Sequence, residues 1–254
     1  MREKCLFGPV QSRRLGRSLG INLTPFKTCS LDCAYCECGK TTHLTIERKE
    51  YIPVRDIVNE LNAYSESGVF RSKPPSCMTF AGLGEPTLHS SFGVLAQYVK
   101  KTFPEQDLVL ITNGTLFSLY PELYREVQPV DIILPSLDAG SGDIFQKIDR
   151  PHPSITLQSS IEGLIQLRQQ YHGQIWLEIF IVEGINDNYS EIVLLRDAIS
   201  RISPDRVQLN SLDRNPAEEW VAPTSPERLA EVADFLGAEL LSKDCRNIQV
   251  DVLV

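Results

Sequence analysis

Six short apolar runs, most followed by a segment of helical periodicity, constrain this chain more than any other feature. They cover residues 19–23, 77–81, 108–112, 131–137, 175–182 and 206–212. Each is apolar enough to be buried on both faces, as parallel strands are. Helical patterns are read over 53–67, 91–101, 119–127, 154–171, 189–202 and 226–241. The first of these has Pro53 at its start, Val54, Ile57, Val58 and Leu61 on one stripe, and Gly68 as its stop. Strand–helix units running one way imply right-handed crossovers and a parallel sheet. Six units are too few for a closed eight-stranded barrel. The last stretch, 247–254, alternates like one more strand.

Four of the seven cysteines, Cys29, Cys33, Cys36 and Cys38, lie within ten residues just after the first run. Thiolates this close in a loop can converge on one metal centre. Four together argue against cysteines that serve only as small apolar residues. A zinc knuckle would ask for a second ligand pair, whereas His43, His89, His152 and His172 are scattered singly. A closed four-cysteine cluster using Cys38 stays open, against the strain of a Cys-x-Cys step on one cubane.

The spacing Cys29-x3-Cys33-x2-Cys36, with Tyr35 before the third cysteine, resembles the signature of radical S-adenosylmethionine (radical SAM) enzymes. The resemblance implies a 4Fe–4S cluster on Cys29, Cys33 and Cys36, with one iron open to SAM. It also implies a partial (β/α)6 TIM barrel of parallel strands with outer helices over 19–242. A basic segment, 1–18, would precede the barrel, and a strand-like extension, 243–254, would follow it. SAM bound at an open iron can be reduced and cleaved to a carbon radical that abstracts hydrogen from a substrate. The electron would come from a reductant such as flavodoxin or ferredoxin.

Ligands of parallel α/β sheets sit at the carboxyl ends of the strands. After the second run, Gly82, Gly84 and Glu85 resemble the family's Gly-Gly-Glu motif, which meets the SAM amino group, with Leu83 interrupting the glycine pair. Asn113 after the third run reads as a SAM or substrate contact, against a plain turn former. Ser136 and Asp138 after the fourth resemble the ribose-binding position. Glu178, a carboxylate inside an apolar strand, must bind something or meet a partner arginine. Asn210, Asp213 and Arg214 after the sixth run are read as facing the cavity, Asn210 toward the cofactor and the other two toward substrate.

Residues 8–20, 26–29 and 84–88 resemble a narrower group, related to the wyosine-base synthases that rebuild a guanine in tRNA. Those enzymes bind a second cluster through upstream cysteines, and here only Cys5 lies upstream. Arg13, Arg14 and Arg17 are expected to share an anionic group of the substrate, such as a phosphate. The alternative is a solvated basic loop, with Lys27 following it.

The net charge of −8, from 25 basic and 33 acidic side chains, leaves tRNA open as a substrate but does not favour polyanion binding. An odd number of cysteines gathered at one site argues for a reducing cytoplasm, not a disulfide framework. No apolar run is long enough to span a membrane, and the amino terminus lacks the apolar region of a signal peptide. Cys245 stands alone, so an auxiliary cluster after the barrel is not expected. Two alternatives remain. One is an activase or maturase acting on a partner protein. The other is a non-catalytic iron–sulfur electron carrier using Cys38, which leaves the glycine–glutamate turn without a role.

Overall fold

A hairpin begins the chain: β1 (Leu6–Ser12) runs antiparallel to β2 (Gly16–Ile21) in a computed structural model that describes residues 4–242 and 248–253. β1 is absent from the sequence-based expectation because it lacks strand alternation. Its residues are half-buried or exposed, and the register slips between Phe7 and Val10, around Gly8-Pro9. Proline suits such an edge strand, where no ladder donor is lost. Gly20 on β2 makes room for the Phe7 ring, which a Cβ there would meet at 2.0 Å.

Two-residue strands, β3 (Thr28–Cys29) and β4 (His43–Leu44), pair in parallel and pinch the cysteine loop at its base. Next come α1 (Val54–Ser65), which buries Ile57 and Leu61, and α2 (Gly68–Ser72). The Ser67 side chain accepts from the Phe70 amide and so caps α2, which is why the expected helix 53–67 ends early. Then follow β5 (Cys77–Phe80), α3 (Phe92–Thr102), β6 (Asp107–Thr112), α4 (Leu123–Glu126), β7 (Ile132–Pro135) and α5 (Gly142–Ile148). The last elements are α6 (Leu157–Gln170), β8 (Gln174–Phe180), α7 (Tyr189–Ile202), β9 (Arg206–Asn210), α8 (Pro226–Ser242) and β10 (Gln249–Val252).

Two helices differ from expectation for local reasons. The pattern over 119–127 contracts to α4, because Gly114 takes φ 73° and leads into a 3-10 turn at Thr115–Ser118, and Pro121 then removes a donor. α6 starts three residues later than read, where Thr156 and Ser159 form a capping box.

All six expected strands are present, and the sheet order is β1-β2-β5-β6-β7-β8-β9-β10. From β2 to β10 every neighbour is parallel. β1 and β10 are its two edges, so the barrel is partial, with helices outside. β10 realises the strand read over 247–254; residues 243–247, Cys245 among them, lie outside the described residues. Strand alternation separates two cores. Met78, Phe80, Leu108, Leu110 and Ile133 pack in the main core with the helices. Cys77, Val109, Ile132 and Leu134 meet Leu15 from the hairpin turn on the inner face. The β1–β2 turn therefore reaches into the barrel. No helix among the described residues is long and apolar enough to cross a membrane.

Asn186, fully buried, fixes the ends of β7 and β8 relative to each other. Its Nδ2 donates to the Asp138 and Phe180 carbonyls at 2.8 and 2.7 Å, and its Oδ1 accepts from the Val182 amide at 2.8 Å. Asn186→Ala leaves three buried backbone groups unpaired and is expected to cost about 3 kcal/mol, or roughly 6–12 °C in melting temperature. A melting point unchanged from the wild type would show that the clamp is not needed.

Candidate active site

The cysteine loop hangs between the end of β2 and the end of α5. Its backbone is tied down by the Ala34 amide on the Ile148 carbonyl (2.7 Å) and the Asp32 amide on the Asp149 carbonyl (3.1 Å). Internal turns, Cys36 amide to Cys33 carbonyl and Gly39 amide to Cys36 carbonyl, bring the thiols to one side. The three sulfurs have different neighbours. Asn113 Nδ2 donates to Cys29 Sγ (3.5 Å), Cys33 Sγ donates to Asp149 Oδ1 (3.7 Å), and Lys27 Nζ donates to Cys36 Sγ (2.9 Å). Cys38 Sγ instead donates to the Gly82 carbonyl, at 3.8 Å.

These neighbours divide the thiols electrostatically. Cys29 is pushed up to about 12, by burial first and then by Glu85. Burial and Asp149 push Cys33 well up. Cys36 is held down at about 5 by its hydrogen bond to Cys38 and by Lys27. Burial works to lower the Lys27 amine, but Cys36, Cys29 and Cys33 outweigh it and the net shift is upward. Of the three thiols, Cys36 is thus the one whose surroundings favour the thiolate, while burial favours the protonated form of the other two. Among the described residues no three His, Cys, Asp or Glu side chains converge on a single-ion site. A cubane spreads its ligands over separate irons, so its sulfurs stand farther apart than donors around one zinc.

The glycine turn after β5 is locked to this loop. Gly82 has φ +144°, and a Cβ there would lie 2.4 Å from Asn22 Oδ1; at Gly84 a Cβ would lie 2.0 Å from the Thr28 carbonyl. Backbone bonds join Lys27 to Leu83 (2.7 Å) and Glu85 to Thr28 (3.0 Å). Glu85 does not present its carboxylate to an open site, as the sequence motif led us to expect. Oε1 accepts from the Thr87 amide (3.0 Å), the Thr87 hydroxyl (2.6 Å) and the Thr112 hydroxyl (2.7 Å), and Oε2 accepts from the Asn113 amide (2.8 Å). Burial raises this carboxyl, and the four donors oppose the shift.

Asn113, Ser136 and Asp138 line one narrow cleft, together with Asp149 and Ser160. Asp138 is buried; Oδ1 accepts from the Phe180 amide (2.6 Å) and Oδ2 from the Tyr35 hydroxyl. The Tyr35 ring stacks on Phe180 at 4.0 Å and 9°. Asp149 lies against Asp138, and its Oδ2 has no hydrogen-bond partner. Burial pushes Asp138 up to about 6 and Asp149 well above its usual value, the latter also through the charge of Asp138. Sequence reasoning missed Asp149, which follows the unexpected helix α5 and belongs to no spacing pattern.

A cavity of about 400 Å³ opens beside this cleft, bounded by Tyr35 and Cys36 on one side and by Arg13, Arg14 and Glu178 on another. Arg14 and Glu178 form a largely buried ion pair, so the arginine weighed as a possible partner for Glu178 comes from the hairpin turn. Burial, then neighbouring Arg13, lowers the Arg14 guanidinium to about 10. Arg13 reaches Asn210 Oδ1 at 3.5 Å and Asp213 at 3.9 Å. Glu37 Oε1 accepts from the Asp213 and Arg214 amides (2.9 and 3.0 Å), and its Oε2 stands 3.9 Å from Arg214 Nε. Arg17 does not join its two neighbours. It lies on β2, past the turn that holds Arg13 and Arg14, near Tyr64 of α1, and its Nε is buried without a hydrogen-bond partner.

These features are those of a superfamily enzyme. The Radical SAM superfamily profile matches residues 23–195, more than half of the sequence, and the chain belongs to that superfamily. The cofactors of that superfamily, a 4Fe–4S cluster and SAM, are accordingly those of this chain. A protein of Brachyspira hyodysenteriae named GTPase Obg is 35% identical over 253 residues, 99% of this chain, but the chain spans only 35% of that protein's length. A UPF0026 protein of Methanocaldococcus jannaschii is 30% identical over 94% of this chain and 72% of its own. Among solved structures, a radical SAM methyltransferase from Sphaerobacter thermophilus superposes with TM-score 0.71 at 18% identity, covering 92% of this chain and 65% of that one. TYW1 with a lysine-pyruvate adduct bound gives 0.63 at 15%, covering 87% and 73%. At such identities the likeness is one of fold.

Removing one partner of a buried ion pair leaves an uncompensated charge. Arg14→Met is therefore expected to destabilise the protein by about 3–5 kcal/mol, and R14M combined with E178M to recover most of that loss. Chemical denaturation of both variants checks this, and a single variant as stable as the wild type would mean that the pair does not hold the cavity wall.

Proposed function

We propose that this chain is a radical SAM enzyme in which Cys29, Cys33 and Cys36 hold the cluster and the 400 Å³ cavity takes the substrate. The observation that carries the reading is that Tyr35 and Cys36 belong at once to the cysteine loop and to the cavity wall. The donor set fits an anionic cluster: an ammonium and an amide point at two of the sulfurs, and Lys27 is buried where only a negative partner offsets its desolvation. Asn113, Ser136 and Asp138 line a narrow cleft beside the cavity, where the unpartnered Asp149 Oδ2 is an acceptor for one SAM hydroxyl. When bound, the cluster supplies the electron that cleaves SAM to methionine and a 5′-deoxyadenosyl radical, which takes a hydrogen atom from substrate.

The protein's own residues position and exclude. Glu85 ties the glycine turn to the end of β6, and with four donors on its carboxylate it is a positioning group, not the acceptor for the SAM ammonium. The Tyr35–Phe180 stack, held by Asp138, walls the cleft from the cavity. Arg14 is committed to Glu178, so Arg13 and Arg214, each 3.9 Å from its carboxylate, are the cations left to meet an anionic group. The substrate is then a nucleobase or small molecule carrying such a group. The likeness of residues 8–20, 26–29 and 84–88 to the wyosine-base synthases supports the base. A low-potential protein such as flavodoxin or ferredoxin serves as reductant.

Anaerobically reconstituted protein with SAM and dithionite is expected to form 5′-deoxyadenosine, measured by chromatography. Cys29→Ala, Cys33→Ala and Cys36→Ala should each abolish it and lower iron content, whereas Cys38→Ala should keep both. Equal loss in the Cys38 variant would contradict the three-ligand assignment.

A further inference from the structure

Neither the SAM cleft nor the substrate cavity uses Lys27, yet few side chains are held more firmly. The residue is 3% exposed and non-glycine at φ 53°, a strained left-handed conformation. Its amide donates to the Leu83 carbonyl (2.7 Å), and its carbonyl accepts from the Thr42 and His43 amides (3.1 Å each). Backbone anchored at both ends fixes the aim of the side chain, and that aim is Cys36 Sγ, 2.9 Å from Nζ. A buried ammonium normally takes a carboxylate partner. Here the salt bridges among the described residues leave Lys27 out, and its hydrogen bond goes to sulfur.

Charge and hydrogen bonds around the sulfurs are what a protein uses to set the potential of an iron–sulfur cluster. A fixed positive charge favours the more negative state, which is the reduced one. We propose that Lys27 is a positioning residue which, through Cys36, raises the reduction potential of the cluster and brings it within reach of its donor. The step is one electron passing from a low-potential flavin or iron–sulfur protein to the cluster; the donor is oxidised by one electron, and no proton moves and no bond breaks. The acidic groups near the other sulfurs, Asp149 at Cys33 and Glu85 toward Cys29, act in the opposite sense, so the effect is read as a difference between variants. The inference rests on the assignment of Cys36 as a ligand.

The test is a potentiometric titration of the anaerobically reconstituted protein without SAM, followed by electron paramagnetic resonance of the reduced cluster. Lys27→Met is expected to keep its iron and to lower the equilibrium constant for reduction about tenfold, a midpoint about 59 mV more negative. Lys27→Arg keeps the charge and should stay near the wild type. Should Lys27→Met fail to hold a cluster, Lys27→Gln supplies the neutral comparison. A loaded neutral variant with the wild-type midpoint overturns the proposal. So does loss of iron in both neutral variants with retention in Lys27→Arg, which would assign the lysine to assembly. A wild-type protein that holds no cluster overturns instead the assignment of the three cysteines, and this inference with it.

Discussion

The buried carboxylate of Glu85 is the joint on which the site depends. Four donors from Thr87, Thr112 and Asn113 converge on it, so one side chain ties the glycine turn after β5 to the end of β6. Without those donors a carboxylate this deep would be neutral or misplaced. With them, Asn113 is oriented so that its amide reaches Ser30 at 2.9 Å and the Cys29 sulfur at 3.5 Å. The same turn is stitched to the cysteine loop through Leu83 and Lys27. The cysteine loop is thus anchored to the sheet and to the end of α5, while its own turns set the thiols within it.

A second constraint works from the other side of the barrel. The sheet does not close, yet its hairpin turn sends Leu15 onto the inner apolar face and Arg14 to Glu178. This fills part of the barrel and leaves a cavity of about 400 Å³ whose far wall is Cys36 and Tyr35. Its three arginines, Arg13, Arg14 and Arg214, are matched by three carboxylates, Glu37, Glu178 and Asp213. A balanced lining suits a compact substrate with a local anionic group better than a long polyanion, in keeping with the net charge of −8.

What was legible in the sequence follows from how local each signal is. The cysteine ligands sit within eight residues, so their spacing alone announces them. Buried parallel strands show as apolar runs, and all six were visible. β1 was not, because an edge strand with half-exposed residues and Gly8-Pro9 has no alternation to read. α5 was missed because seven residues give no complete stripe. Partnerships across the sheet leave no local mark. The Arg14–Glu178 pair and the packing of Asp149 against Cys33 each join residues more than 100 positions apart. Lys27 reads as one more base after an arginine cluster, and only the fold shows its amine turned inward to sulfur. Glu85 is the opposite case: its motif was plain, but what its carboxylate touches is decided by Thr112 and Asn113 from the next strand.

The central claim is that three cysteines leave one iron of the cluster free for SAM. Mössbauer spectroscopy of protein reconstituted with isotopically enriched iron, before and after addition of SAM, tests it most directly. The account predicts that SAM shifts the signal of one iron in four and leaves the others unchanged. Four irons indifferent to SAM, as in a cluster closed by Cys38, would contradict it.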